Sequence, residues 1–388
     1  MTTKRAIIVG AGIAGLAAAL RLSQIGWEPL VLERSPARRG GGYAVIFSGI
    51  GYEAADRMGV LPALRAHQVV AFDLAYLRAD GRPRFTVPHS TVRKVLGDGG
   101  MALLRGAIED VLYEAVADQA EIRFGTTITA VSQDADMVEV ALADGSVERA
   151  DLLVGADGLH SSVRTLVFGP EERFRRDLGH VVAAFTLDEL PGGAPERAFT
   201  TVSGVGRTFT VADLGGGRSA AFFTYSAADP DAELAKGPRR ALQQEYPGPR
   251  WAVPELIADL DEEAVYFDSV SQIVMDRWSE GRVVLLGDAA WCVTLFAGYG
   301  SSLAVGGADL LGAELERHSG DIPAALRAWE AGLRPEVVER QRKGRANTGV
   351  HAPRNRFELA LRDLPLRLAT VPPVTHLLSR HLRFHNEP

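Results

Sequence analysis

A single cysteine, Cys292, occurs in the 388 residues, so no disulfide can form within the chain and no cysteine-based metal site can be built. The nine histidines are scattered, with no pair at zinc-ligand spacing. No stretch of about 20 uninterrupted apolar residues exists to span a bilayer. Positive charge is not in excess. The formal net charge is −7, and such a surface repels nucleic-acid phosphates and anionic membranes. Gly-x-Ser-x-Gly and His-Glu-x-x-His are both absent, and no catalytic triad can be read from the chain. These absences exclude a disulfide scaffold, a zinc site, a membrane span and a nucleic-acid partner. They suit a reducing compartment, and the expectation is a cytoplasmic protein.

What is present is a large apolar fraction, 46% of all residues, enough for a core shared between two domains. Residues 6–20 follow Lys4 and Arg5 and superficially resemble a signal peptide. The run carries glycines at fixed spacing, however, and ends at Arg21 without a clear cleavage site. Residues 6–9 read as a short buried strand, 10–15 as a turn, 16–24 as a helix and 29–33 as a second strand. That order implies a parallel pair joined by a crossover. Residues 38–42 form a basic, glycine-rich loop. A helix is expected over 103–116, and strands over 122–124, 128–132, 138–142 and 152–155. The stretch 181–224 lacks the strand-helix alternation and reads as an antiparallel sheet. Residues 283–286 give another buried strand, 301–315 a helix, and helical periodicity dominates from 324 onward.

Three motifs carry chemistry. The first, Gly10-Ala11-Gly12-Ile13-Ala14-Gly15, follows a strand and opens a helix, the context in which such a turn binds a dinucleotide. Gly10 permits the tight turn, Gly12 lets backbone approach a pyrophosphate, and Gly15 allows close helix–strand packing. The helix start offers N–H groups and a positive dipole end to phosphate. Glu33 ends the second strand, where a carboxylate can accept from ribose hydroxyls. The second motif runs from Asp157-Gly158 to Arg164 after residues 152–156. The third is Gly287-Asp288-Ala289-Ala290 after residues 283–286. Each of these two, taken singly, is an ordinary strand-to-turn junction.

The three together, in this order and at this separation, resemble the class A flavoprotein monooxygenases, the para-hydroxybenzoate hydroxylase-like family. Within it the likeness is to hydroxylases of polyketide tailoring, antibiotic biosynthesis and tetracycline inactivation. Arg105 at a helix start and the 278–282 lead-in to the third motif extend the resemblance over nearly the whole chain. It implies an α/β fold: a Rossmann-type FAD-binding domain with a parallel sheet, a smaller substrate domain with an antiparallel sheet, and C-terminal helices. The implied FAD-binding domain is discontinuous, over 1–70, 97–177 and 275–345. The substrate domain takes 71–96 and 178–274, and the C-terminal helices 346–388.

The resemblance also assigns roles. Gly10, Gly12, Ala14 and Gly15 would hold the ADP half of FAD, and Glu33 the adenosine ribose, with Arg34 close by. Arg105 would contact the ribitol-phosphate region. Asp157 would lie near both FAD and NADPH. Gly287 and Asp288 would meet the ribitol, and Gly298, Gly300 and Ser301 the pyrimidine side of the flavin. NADPH (or NADH) would reduce the flavin, and O2 would add to give a C4a-hydroperoxide that hydroxylates an aromatic or polyketide-like small molecule. Tyr43, Phe47, Phe223, Tyr225 and Phe296 are expected to line the substrate cavity, with Phe222 in the same aromatic cluster. No catalytic residue can be named; His89, His160 and His180 are candidate bases only by residue type. Cys292 is expected as a small buried hydrophobe, and no metal is implied.

One stretch departs from the family pattern. Trp291 replaces a histidine, Thr294 and Leu295 replace prolines, and Ser302 replaces a frequent asparagine. This leaves open a reductase, halogenase, Baeyer–Villiger or oxidase chemistry on the same fold, or a non-catalytic flavin-binding protein. A Trp-x-Trp-x-Ile halogenase signature is absent. The chain is expected to be a monomer or homodimer, its last helices capping the substrate domain or forming a dimer contact.

Overall fold

Four of the expected strands are apolar on both faces, a pattern satisfied only inside a sheet covered on both sides. In the computed structural model, which describes residues 3–38, 43–69, 72–96, 100–215, 217–248 and 251–368, all four lie in one six-stranded sheet. Its order is Ser279–Glu280, Val283–Leu285, Leu152–Gly155, Arg5–Val9, Glu28–Leu32 and Glu121–Arg123. The first pair is antiparallel and the rest are parallel. Ile7, Ile8, Val31, Leu153, Val154, Val283 and Val284 are fully buried. Each such side chain contributes about 1.5–3 kcal/mol relative to exposure. Helix Ile13–Gln24 packs between this sheet and the long helix Gly300–Arg317.

The register is the feature that matters. Val9 lies opposite both Leu32 and Gly155, and Gly155 lies opposite Leu285. The strands therefore stop level, and Gly10, Glu33, Ala156 and Leu286 leave the sheet side by side. Backbone bonds lock that edge: Gly10 N–H donates to Leu32 O, Ala156 N–H to Val9 O and Leu286 N–H to Gly155 O, all at 2.8 Å.

A second, seven-stranded sheet has the order Tyr266–Ile273, Arg175–Leu187, Arg218–Ser226, Arg207–Gly215, Ala198–Gly204, Asp73–Leu77 and Pro83–Val87. Its neighbours are antiparallel except Ala198–Gly204 with Asp73–Leu77. Helices Pro238–Glu245 and Val253–Ala258 cover one face, and the other turns toward the parallel sheet. Helix Arg356–Leu368 packs on the Pro83–Val87 edge, where the buried Asp363 pairs with Arg84.

One expected boundary is corrected. Residues 103–104 belong to the strand Gly100–Leu104, paired with Ala44–Ser48, and the helix begins at Arg105. The apolar run at 101–104 satisfies either period, and pairing with the neighbouring strand decides it. Gly40, Gly41 and Gly42 lie outside the described residues, as does the apolar segment 377–382 expected as helix.

A Cβ at Gly15 would sit 1.8 Å from Gly10 O. At Gly192, by contrast, it meets open space. Gly15→Ala is therefore expected to destabilise the protein by roughly 1–3 kcal/mol, while Gly192→Ala leaves the thermal midpoint within error. Equal midpoints for the two variants would refute the tight-packing account.

Candidate active site

The three motifs meet along the level strand edge. Gly10 adopts φ +105, and a Cβ there would lie 2.5 Å from Ala156 O; only glycine passes between the two strand ends. Gly12 is different. A Cβ there would meet nothing nearer than Glu109 Oε1 at 3.6 Å and Arg105 Nη2 at 3.9 Å, so it would project into open cleft. No side chain caps the helix that follows, so its first-turn N–H groups face the same space. An uncapped helix start beside a bare backbone suits a phosphate-bearing ligand.

Glu33 is fixed by two backbone donors, Ala11 N–H at 2.9 Å and Ser35 N–H at 2.8 Å. Gly287 has φ +66, and its Cβ would fall 2.7 Å from Ala14 Cβ, so both positions must be small. The turn delivers Asp288 into the cleft, exposed to it. Arg105 stands across from it, paired with Glu109 at 2.8 Å. The neighbouring loop brings Gly298 and then Gly300 alongside: a Cβ at Gly300 would be 3.9 Å from Asp288 Oδ1. Ser301 lies at the same helix start.

These residues line one continuous cleft. Its larger part, about 400 Å³, runs past Gly10, Gly12, Glu33, Arg34, Arg38 and Asp157. A smaller part of about 150 Å³ continues past Asp288, Gly298 and Gly300 to Val182, Tyr266 and Val270 of the second sheet. Tyr43, Arg105 and Asp288 border both. Asp157 lines the cleft, but its carboxylate is engaged within its own turn. It accepts from Ser161 Oγ, from Ser162 N–H at 2.6 Å and from Val163 N–H at 3.1 Å, capping the helix Ser162–Val167.

The aromatic residues divide by strand parity. Side chains alternate faces with a period of two, and Phe222, paired with Ala184, faces the cleft. There its ring meets Tyr43 edge-on at 5.9 Å, and Tyr43 lies 6.1 Å from Tyr266. Phe223 and Tyr225 point the other way and are fully buried under the covering helices, against Phe209 and Tyr246. The expectation that they line the cavity is corrected by this one-residue offset. Phe47 is likewise corrected: it is fully buried in the core of the parallel-sheet layer. Phe296 is 3% exposed and packs with Val182 and Val270. Its ring stacks on His351 at 4.3 Å and takes His180 on edge at 5.4 Å.

The histidines separate by charge. His160 bridges the two sheets, its Nδ1 2.9 Å from Glu171 and its Nε2 3.2 Å from Asp268. The two carboxylates raise its pKa to about 9, so it is a cation near neutral pH and not a base. Burial holds His351 down at about 4 and also lowers His180, whose Nδ1 bonds Leu178 O at 2.7 Å. His89 is exposed beside Asp73. Burial pushes the Cys292 thiol up, consistent with a small buried hydrophobe. Among the described residues no cluster of His, Cys, Asp and Glu could hold a metal ion, and no helix is long and apolar enough to cross a membrane.

The departing stretch is built unusually. Trp291 turns away from the cleft into the core, 4.8 Å from Trp278 and 5.8 Å from Trp329. Thr294 has φ 79 and ψ 149, a region nearly reserved for glycine, which costs on the order of 1–3 kcal/mol. Sequence reading missed Tyr266, Val182 and Val270 as cleft residues, and the two glutamines that hold this stretch, Gln272 and Gln341.

Residues 3–321 match the family described as FAD binding domain. A flavin-dependent monooxygenase from an unknown prokaryotic organism is 29% identical over 344 residues, 87% of this chain and 87% of its own. The tetracycline destructase Tet(51) superposes with a TM-score of 0.81 at 25% identity, covering 100% of both chains. Klebsiella pneumoniae HpxO, complexed with FAD and uric acid, superposes with a TM-score of 0.77 at 26% identity, covering 98% of this chain and 96% of its own. The chain belongs to this FAD-binding family and is an FAD-dependent monooxygenase of class A.

Phe223→Ala is expected to cost about 3–5 kcal/mol of stability, as full truncation in a packed core does. Phe222→Ala, at the half-buried cleft face, is expected to cost much less. Similar losses in denaturant titration would contradict the parity assignment. The folded pKa of His160 lies above its ordinary 6.5, so its bridge contributes fully below about pH 6.5 and is lost as pH rises through about 9. Over that window the wild-type melting temperature should fall more steeply than that of His160→Gln. Parallel pH profiles would show that the bridge adds nothing.

Proposed function

We propose that the enzyme hydroxylates an aromatic or polyketide-like small molecule, using FAD, a reduced nicotinamide (NADPH or NADH) and O2. The observation that carries this reading is the join between the cofactor cleft and a pocket walled by Tyr43 and Tyr266, with Phe222 packed edge-on behind Tyr43. Flat aromatic walls beside apolar Val182 and Val270 suit a ring system. Support for small-molecule substrates comes from neighbours whose names include tetracycline destructase and a complex with uric acid. The parallel-sheet layer then serves as the flavin domain and the seven-stranded sheet as the substrate domain.

FAD, when bound, supplies hydride acceptance from the nicotinamide and activation of O2 for transfer of one oxygen atom. In this reading the protein does the rest. Glu33, held by its two backbone donors, accepts from the adenosine ribose, with Arg34 beside it. Gly12 and the first-turn N–H groups after it receive the pyrophosphate. Arg105 and Asp288 hold the ribitol region from opposite sides. The N–H groups at 298–301 start a helix whose dipole favours negative charge on a reduced ring. Val182, Val270 and Leu295 keep water from the reacting edge. With His160 held as a cation and His180 bonded to backbone, no histidine is assigned as a base.

Anaerobic addition of NADPH to the FAD-loaded protein is expected to bleach the flavin band, and admitting O2 with tetracycline or urate as probe to give oxygen uptake coupled to product. Persistence of the oxidised spectrum under both NADPH and NADH would contradict the proposal. Asp288→Ala is expected to weaken FAD binding about 10- to 100-fold, the worth of a charge-assisted hydrogen bond. Unchanged affinity in an equilibrium titration would remove Asp288 from the site.

A further inference from the structure

The stretch from residue 291 to 297 connects Asp288 to the N–H groups at 298–301, so its shape sets the distance between two ends of the cofactor site. It contains no proline and includes the left-handed Thr294, and such a segment does not hold its shape unaided. Its carbonyls are held from outside. Gln341 Nε2 donates to Ile273 O at 2.7 Å and Trp291 O at 3.0 Å, and lies 3.4 Å from Cys292 O. Gln272 Nε2 donates to Val293 O at 3.1 Å and to Gln341 O at 2.8 Å. Ile273 N–H donates to Cys292 O at 3.1 Å. Arg345 Nη1 donates to Gln272 Oε1 at 2.7 Å, which fixes that amide's orientation. Further along, Asn347 Nδ2 approaches Phe296 O at 3.4 Å.

Gln272 is 0% and Gln341 6% exposed. Burying two neutral amides is costly unless each is satisfied, and their donors are spent on backbone carbonyls of this stretch, of Ile273 and of Gln341. The helix Ile322–Ala346 also makes room for the contact. A Cβ at Gly344 would lie 2.6 Å from Thr294 Cγ2 and 2.7 Å from Val293 O. Arg340 covers the Tyr299 ring at 3.6 Å. One face of this helix and the last residues of strand Tyr266–Ile273 thus grip the segment from two sides.

We propose that Gln272 and Gln341 are positioning residues for the flavin: by fixing the carbonyls of residues 291–293 they set where the ring rests between Asp288 and the helix start at Gly300. The inference rests on the FAD site described above. It explains how the loop keeps a strained residue without proline. It also singles out Leu295, which heads the short 3-10 turn Leu295–Ala297. Proline suits that position, because the first N–H groups of a helical turn lack intrahelical partners. Thr294, with φ 79, cannot become proline.

The test uses FAD-loaded protein. Gln341→Met keeps length and volume but removes the amide. FAD dissociation is expected to rise about tenfold or more, from loss of two hydrogen bonds, with a shifted flavin visible spectrum. Adding Leu295→Pro to Gln341→Met restores much of the affinity and the spectrum, because it stiffens the same segment by another route. Arg345→Met, at an exposed position, gives a smaller change in the same direction and serves if Gln341→Met does not fold. A folded Gln341→Met or Arg345→Met with wild-type affinity and spectrum overturns the proposal. So does an affinity loss that follows the melting temperature and is not recovered by Leu295→Pro. Wild-type protein that retains no FAD would instead overturn the site reading beneath it.

Discussion

The structure depends on one constraint, the level termination of adjacent parallel strands. Backbone pairing brings Val9, Leu32, Gly155 and Leu285 to a common edge. Each residue that follows is then placed by hydrogen bonds and not by its own side chain. Parallel pairing demands crossovers, so chain segments far apart in sequence are delivered to one line. The ligand cleft lies outside that line, beside the junction where connections leave the sheet in opposite directions. Glycine at 10, 15 and 287 is the steric consequence, since a Cβ at each would strike backbone or a neighbouring Cβ within 2.7 Å.

The second sheet adds a wall whose chemistry is set by parity. One face buries Phe209, Phe223 and Tyr225 beneath helices. The other carries Val182 and Phe222 toward the cleft. Across the junction, His160 reaches from the second motif to Asp268 of the wall, and the helix Ile322–Ala346 reaches the loop at 291–293 through Gln341. The cleft is therefore bounded by groups from both sheets, and a helix that follows them in sequence holds one of its bordering loops.

Much of the candidate site is legible in the sequence because its signals are local. Gly10, Gly12, Gly15 and Glu33 fall within one strand-helix-strand unit, and Asp288 follows an unmistakable buried strand. The wall formed by the second sheet is harder to read. Phe222 and Phe223 are identical residues, and only the pairing partner tells which face each takes. Residues 266–273 mix serines and an aspartate with apolar residues, so their pattern does not announce a strand, and Tyr266 and Val270 go unnoticed. Trp291 looks like a change at the cofactor, yet its ring lies in a cluster with Trp278 and Trp329. Gln272 and Gln341 are invisible at sequence level, because a buried amide bonded to distant carbonyls leaves no periodic trace.

The central claim is that four level strand ends form a single FAD site. The most direct measurement is a crystal structure of the FAD-bound protein. The account predicts pyrophosphate over the helix start at Gly12, the adenosine ribose on Glu33, and the ribitol between Arg105 and Asp288. FAD bound elsewhere, or a bound FAD that leaves the helix start at Gly12 without phosphate, would contradict it.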